Sequence, residues 1–106
     1  MFSLINEHEL KFNGINALYF YADWMPQHKK MTSMISKIEE LYDAKFVAID
    51  VDIFKNIKIQ YNITKIPTIV IFNEYDEIKR VHGLPLTSGL KKIFSDIYYQ
   101  YRSNSK

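Results

Sequence analysis

The chain has 106 residues, of which 47% are hydrophobic and 15% aromatic, and these proportions are sufficient for one domain with a buried core. A charged fraction of 25%, with no apolar run of roughly 18 residues, excludes a helix that crosses a membrane. A formal net charge of +2, carried by dispersed basic residues, gives no indication of a nucleic-acid partner.

Residues 1–106 are predicted to form a single domain, because no repeat, low-complexity tract or linker divides them. The polar tail 102–106 is expected to fray. We expect a soluble cytoplasmic protein, since Met1–Ile5 lacks the basic start and longer apolar stretch of a secretory signal. The sequence has no cysteine, which excludes disulfides and thiolate ligands but is compatible with a reducing or an oxidising compartment.

The first elements are predicted from caps and from one long apolar run. Phe2–Ile5 is expected to be a short strand, and Asn6 is expected to cap a short helix that ends at Asn13 and Gly14. Ile15–Ala22 is almost entirely apolar or aromatic, which is typical of a central strand buried on both faces.

The middle of the chain changes to helical periodicity. From Met31 to Tyr42 the apolar residues recur at spacings of three and four with charged residues between them, so an amphipathic helix is predicted. Lys45–Val51 then favours a strand, and Asp52–Tyr61 a second helix ended by Asn62.

The last third predicts a hairpin and a helix. Thr68–Phe72 and Glu77–His82 are expected to pair as antiparallel strands across the turn Asn73–Asp76. Thr87 is expected to cap a final amphipathic helix. This order requires parallel crossovers plus an antiparallel edge, and several α/β folds satisfy it.

Three separated segments narrow the choice. Tyr19–Lys29 reads Y-F-Y-A-D-W-M-P-Q-H-K, Ile66–Thr68 reads I-P-T, and Val81–Leu84 reads V-H-G-L. They resemble, in order and interval, the W-C-G-P-C-K turn, the I-P-T segment with its cis proline and the V-G-A loop of the thioredoxin family. The resemblance covers nearly the whole chain from Asn6 to Tyr99. It implies a thioredoxin fold, with a central mixed sheet, an antiparallel C-terminal hairpin and flanking helices.

The departures from the family pattern bear on function. Met25 and His28 stand at the positions of the two redox cysteines, and neither a thioether nor an imidazole forms a mixed disulfide. Tyr19 stands where thioredoxins usually have a buried aspartate. Without a thiol to deprotonate, a buried carboxylate would only cost desolvation free energy, and a hydrogen-bonded tyrosine or an apolar residue costs less. The resemblance therefore implies the family's shape without its dithiol reaction.

The resemblance also implies a groove for a protein or extended peptide segment. Its expected residues are Trp24, Met25, Pro26, Ile66, Pro67 and Leu84. A cis bond before Pro67 would leave the backbone of Ile66 open for pairing, while Met25 and Leu84 would supply apolar walls. Trp24 is equally compatible with simple packing. We therefore expect a redox-inactive binding or scaffold module that needs no cofactor, of undetermined oligomeric state.

Two alternatives stay open. One is a metal-binding or non-thiol catalytic activity centred on His28 and Met25, whose nitrogen and sulfur suit a soft metal such as Cu(I). These two residues make only half a site, so no metal site is predicted, and no Ser, Thr or Asp is recognisably paired with His28 as a general base. The other is a domain that persists only as a structural part of a larger assembly.

Overall fold

The computed structural model describes residues 1–4, 6, 10 and 13–102. The strands in this part of the chain are β1 (Phe2–Ser3), β2 (Ile15–Tyr21), β3 (Lys45–Asp50), β4 (Thr68–Asn73) and β5 (Asp76–His82). Its helices are α1 (His28–Leu41), α2 (Lys55–Gln60) and α3 (Thr87–Arg102). The helix predicted between Asn6 and Asn13 falls largely outside the described residues, as does the tail beyond Arg102. None of the described helices has the length and apolar character needed to cross a membrane.

The five strands form one mixed sheet in the order β1-β3-β2-β4-β5. β3 is parallel to both β1 and β2, whereas β4 is antiparallel to β2 and to β5. This arrangement confirms the predicted α/β architecture with an antiparallel C-terminal hairpin.

β2 is central because both of its faces are apolar. Ala17 and Tyr19 point to one face and join the core formed with α1 and α3. Leu18 and Phe20 point to the opposite face and join a second core that includes α2. When both faces of a strand are buried, apolar side chains are favourable at every position and not only at alternate ones. The apolar run of β2 is therefore nearly continuous.

Helix α1 has the predicted amphipathic pattern. Its buried residues are Met31, Met34, Ile35 and Ile38, and they pack on the sheet. The helix ends where the Tyr42 N–H donates to the Ile38 carbonyl at 2.9 Å and the backbone of Tyr42 becomes extended.

Helix α2 begins at Lys55, three residues later than predicted. A turn after β3 causes the delay: Oδ1 of Asp50 accepts the Asp52 N–H at 2.9 Å, and the Asp50 carbonyl accepts the Phe54 N–H at 2.8 Å. An aspartate that bonds the backbone two residues later favours a turn over continued helix. The helix ends at Gln60, one residue before the predicted end at Tyr61, and Asn62, which was predicted to end it, has a positive φ of 55°.

The hairpin turn is shorter than predicted. Asn73 and Asp76 already pair with each other, so only Glu74 and Tyr75 lie between β4 and β5. Glu74 adopts a φ of 53°, and its N–H donates to the Gly14 carbonyl at 2.9 Å. The Gly14 N–H in turn donates to Oε2 of Glu74 at 3.0 Å, which fixes the start of β2 against the hairpin.

Candidate functional site

Four loops meet at one edge of the sheet. The register pairs Tyr21 with Asp50, Phe20 with Thr68, and Thr68 with His82. The ends of β2, β3 and β5 and the start of β4 therefore lie side by side. The loops 22–27, 51–54, 61–67 and 83–86 all extend from this edge, and they contain every residue predicted for the partner groove.

The turn after β2 separates two neighbouring side chains. The Met25 N–H donates to the Ala22 carbonyl at 3.0 Å, and the His28 N–H donates to the Met25 carbonyl at 3.2 Å. As a result Trp24 is 71% exposed, whereas Met25 is only 4% exposed and packs in the core with α1 and α3. Met25 thus lies beneath the surface and presents almost none of the apolar wall expected of it.

The exposed indole of Trp24 is held in place by a carboxylate. Its Nε1–H donates to Oδ2 of Asp52 at 3.0 Å. Asp52 in turn is positioned by the Asp50 turn described above. The side chain is therefore both exposed and restrained, which lowers the conformational entropy that a partner would have to remove.

Below this edge, three rings stack on one another. The Tyr21 and His28 ring centroids are 4.3 Å apart and nearly parallel, and the Tyr19 and Tyr21 centroids are 5.3 Å apart. Oη of Tyr19 lies 2.8 Å from Nδ1 of His28, so the fully buried phenol and the half-buried imidazole share a hydrogen bond. The residue at the expected aspartate position is thus a hydrogen-bonded tyrosine.

Burial keeps this phenol in its neutral form. Burial chiefly, and the neighbouring Tyr21 hydroxyl to a lesser extent, raise the pKa of Tyr19 well above its ordinary value of 10.0. Burial, followed by the carboxylates of Asp50 and Asp23, also raises the pKa of Tyr21. A neutral Tyr19 hydroxyl can donate to Nδ1 of a neutral His28 and can accept from the protonated ring. The arrangement engages Nδ1 of His28 in a hydrogen bond with Tyr19.

The loop before β4 carries the proline. The Ile66–Pro67 peptide bond is cis, Pro67 is buried and Ile66 is half-buried. The Pro67 carbonyl accepts the Gly83 N–H at 2.8 Å, which joins this loop to the one that follows β5. Within the described part of the chain, no hydrogen bond engages the backbone N–H or C=O of Ile66.

The loop after β5 faces the start of α1 across a groove of about 500 Å³. Pro26 is exposed on one side of it and Leu84, which is 42% exposed, on the other. Lys29, Lys30 and Lys37 of α1 also line it. These lysines were predicted only as the charged face of a helix, although Lys30 and Lys37 lie seven residues apart on one stripe, a spacing that would have indicated a shared surface.

The structure thus divides the residues predicted for the groove into two groups. Trp24, Pro26, Ile66 and Leu84 are exposed or half-buried at the edge, whereas Met25 and Pro67 lie beneath it. Sequence reasoning missed Asp52 as the partner of Trp24 and Tyr21 as the ring that covers His28. Only the i, i+2 spacing of Tyr19 and Tyr21 on one strand face could have indicated the second of these.

The alternative centred on His28 finds little support in the geometry. Nδ1 of His28 is occupied by Tyr19, and the thioether of Met25 is enclosed in the core. No group of three or more His, Asp or Glu side chains converges into a metal-binding cluster among the described residues.

Comparison with known proteins gives a consistent result. The family model described as Thioredoxin matches residues 6–96. A thioredoxin of Mycoplasma genitalium is 35% identical over 78 residues, which are 73% of this chain and 76% of that protein. A solved thioredoxin of Halobacterium salinarum, carrying one point mutation, superposes with a TM-score of 0.83 at 25% identity, over 90% of this chain and 88% of that one.

A multidomain relative also matches. Human glutaredoxin-3 is 26% identical over 85 residues, which are 79% of this chain. The chain spans about a quarter of that relative's length, since the match covers 25% of it.

Proposed function

The chain belongs to the thioredoxin family, and we propose that it is a redox-inactive member that binds a protein or an extended peptide segment at the edge formed by Trp24, Pro26, Ile66 and Leu84. The first half of this proposal rests on composition. The 106 residues include no cysteine, so their side chains cannot carry out dithiol exchange.

The observation that carries the binding function is the state of Trp24. A tryptophan that is 71% exposed would normally be costly to leave in water, and here it is also restrained by a hydrogen bond to Asp52. Exposed aromatic residues that are already ordered are typical binding hot spots. Pro26 and Leu84 add apolar surface on the same edge.

The backbone of Ile66 supports an extended ligand. Its N–H and C=O have no partner within residues 13–102, and it lies one residue before the buried Pro67, which is joined to Gly83. A partner strand could bond these groups as it would the edge of a sheet. The partner's side chains would then alternate between the Trp24 side and the Leu84 side.

The test is affinity purification with matched variants. The unmodified protein, Trp24→Ala and Leu84→Asp are compared with Tyr75→Ala, which alters a side chain that is 79% exposed on the opposite, hairpin end. We expect a protein that the unmodified chain and Tyr75→Ala both retain and that Trp24→Ala and Leu84→Asp lose. Titration of the purified partner against the fluorescence of Trp24, the single tryptophan of the sequence, then gives its affinity.

Two results would contradict the proposal. If Trp24→Ala and Leu84→Asp retain every protein that the unmodified chain retains, the edge is not the binding surface, as a domain with a purely structural role would require. If the purified protein reduces a model disulfide such as that of insulin, the claim of redox inactivity is wrong. Stoichiometric metal that is lost on His28→Ala would favour the alternative centred on His28.

A further inference from the structure

The face of α1 that borders the groove is basic. Lys30 and Lys37 lie seven residues apart along it, with Ser33 between them, and Lys29 lies beside Lys30. Their side chains are exposed, whereas Met34, which lies below them, is 8% exposed. The groove therefore has a charged rim on the α1 side and an apolar floor.

The lysine charges have no ion-pair partner among the residues that the structure describes, since no carboxylate there lies within salt-bridge distance of Lys29, Lys30 or Lys37. The first turn of α1 contains no acidic residue, although acidic residues are the ones that a helix start favours. Lys29 and Lys30 lie in this first turn, where a positive charge opposes the helix dipole, so an acidic group bound there would relieve an unfavourable interaction.

We propose that this groove, defined by Pro26, Lys30, Met34, Lys37 and Leu84, binds an acidic extended segment of the partner protein, with one aliphatic side chain of that segment on the apolar floor. This inference rests on the proposed function, because the groove continues from the Trp24 edge through the shared residues Pro26 and Leu84. It adds the charge of the ligand and the place of its acidic part over α1.

The dimensions suit a short peptide. Lys30 and Lys37 are separated along the helix axis by about 10 Å, at 1.5 Å per residue. An extended chain rises by about 3.3 Å per residue, so about three residues of the ligand span the two lysines. Alternate side chains point the same way and lie about 7 Å apart, so two acidic residues two positions apart can face the lysines if the flexible lysine side chains lean together over the remaining few ångströms.

The charges at the two ends of the edge indicate which part of the ligand lies at each end. β3 and β5 lie on opposite sides of β2 in the sheet. The Asp52 carboxylate, which follows β3, accepts the Trp24 Nε1–H, and the lysines line the groove with Leu84, which follows β5. Like charges repel, so the acidic part of the ligand lies over α1 and its neutral or basic part lies beside Trp24.

The surface suits a protein ligand better than a nucleic acid. The groove is lined by Pro26, Met34 and Leu84 and by no aromatic residue on which a base could stack. Three lysines in one groove and a net charge of +2 also fall short of the extended basic face that a phosphate backbone requires. An aliphatic anchor flanked by carboxylates matches the floor and the rim together.

The experiment uses the full chain and a labelled eight-residue peptide that has one central leucine and otherwise glutamates. The same peptide with glutamines in place of the glutamates is the neutral probe. Binding is followed by fluorescence anisotropy for the unmodified protein, for Lys30→Glu with Lys37→Glu, and for Lys30→Ala with Lys37→Ala. Lys45→Glu with Lys79→Glu is the matched control, because it changes the net charge equally at exposed lysines elsewhere.

We expect the acidic peptide to bind more tightly than the neutral one, and more weakly as ionic strength rises. Lys30→Glu with Lys37→Glu should weaken binding of the acidic peptide about tenfold, and Lys30→Ala with Lys37→Ala should weaken it less. The control pair should change this affinity by no more than about twofold. Circular dichroism checks that each variant is folded. Equal affinity for the two peptides, or equal loss in the groove and control variants, would overturn the inference.

The other polyanions are tested in parallel. A single-stranded oligonucleotide or a vesicle containing anionic lipid that binds more tightly than the acidic peptide through the same lysines would also overturn it. The proposed function is tested separately by the Trp24→Ala purification. If Trp24→Ala releases a partner that the lysine reversal retains, the inference fails and the proposed function stands. If the acidic peptide binds but Trp24→Ala releases no protein, the proposed function fails.

Discussion

Tyr19 and His28, nine residues apart, are joined by a hydrogen bond of 2.8 Å between a fully buried phenol and the Nδ1 atom of a half-buried imidazole. Tyr21 covers the imidazole from one side at a centroid distance of 4.3 Å. The bond joins the middle of β2 to the first residue of α1, the position at which the family resemblance led us to expect a redox cysteine in dithiol members. Here this position carries a contact that stabilises the fold.

We expect Tyr19→Phe to lower the free energy of unfolding by about 1 kcal/mol, because the ring is kept and only the buried hydrogen bond is lost. Urea denaturation at neutral pH measures the change. Tyr21→Phe is the matched control, since it keeps the stacking on His28 and removes a hydroxyl for which no bond is found among the described residues. Its free energy of unfolding should differ from that of the unmodified protein by less than about 0.5 kcal/mol. Equal losses in the two variants would contradict this account.

Stability should fall at alkaline pH. The pKa of Tyr19 is raised by burial above the 10.0 that it has in the unfolded chain, so the folded protein holds a proton that the unfolded chain releases. The free energy of unfolding is therefore unaffected by this group below about pH 10 and decreases as the pH rises further. Urea titrations at increasing pH should show a shallower decrease for Tyr19→Phe than for Tyr75→Phe, whose ring is 79% exposed. An identical decrease in both variants would show that Tyr19 is not responsible.

Neighbouring substitutions in the turn should have opposite consequences. Met25→Ala removes a core side chain that is 4% exposed and should cost about 2–5 kcal/mol of stability. Trp24→Ala removes a side chain that is 71% exposed and should change stability by less than about 1 kcal/mol. Thermal or urea unfolding compares them. If Trp24→Ala were as destabilising as Met25→Ala, Trp24 would be a structural residue and the binding test based on it would lose its meaning.

The Asp50 turn should control the mobility of Trp24. Asp50→Ala removes the Oδ1 that accepts the Asp52 N–H, at a cost of about 1 kcal/mol, and so loosens the residue that holds the indole. Asp50→Asn keeps an oxygen at this position and is the matched control. We expect faster decay of the fluorescence anisotropy of Trp24 in Asp50→Ala than in Asp50→Asn. Equal decay rates would mean that the turn does not restrain the indole.

The elements with a strong periodic signal could be predicted from the sequence. The apolar run of β2 corresponds to a strand buried on both faces of the sheet. The spacing of Met31, Met34 and Ile38 corresponds to a helix buried on one face. The predicted start of α2 at Asp52 was wrong, because a single hydrogen-bonding side chain, Asp50, favours a turn over the helical pattern.

The candidate site was less predictable for the same reason. The resemblance to the thioredoxin family indicated residues 22–27 as a candidate site, but the burial of Met25 depends on the conformation of this turn, including the backbone bond to Ala22, which no spacing encodes. The pairs Trp24–Asp52 and Tyr19–His28 join residues from different elements, and periodicity within one element carries no information about them. The lysines of α1 line a groove only because the fold places Leu84 opposite them.

Met25 is enclosed beneath the proposed binding edge, and its burial limits the chemistry that its sulfur can undergo. Oxidants reach a thioether only when it is accessible, so the Met25 sulfur is shielded in a side chain that is 4% exposed, and the Met34 side chain in the groove is only 8% exposed. Because the sequence has no cysteine, glutathione has no thiol at this edge with which to form a mixed disulfide. The proposed binding at Trp24 should therefore persist through changes in redox conditions that oxidise or reduce thiols.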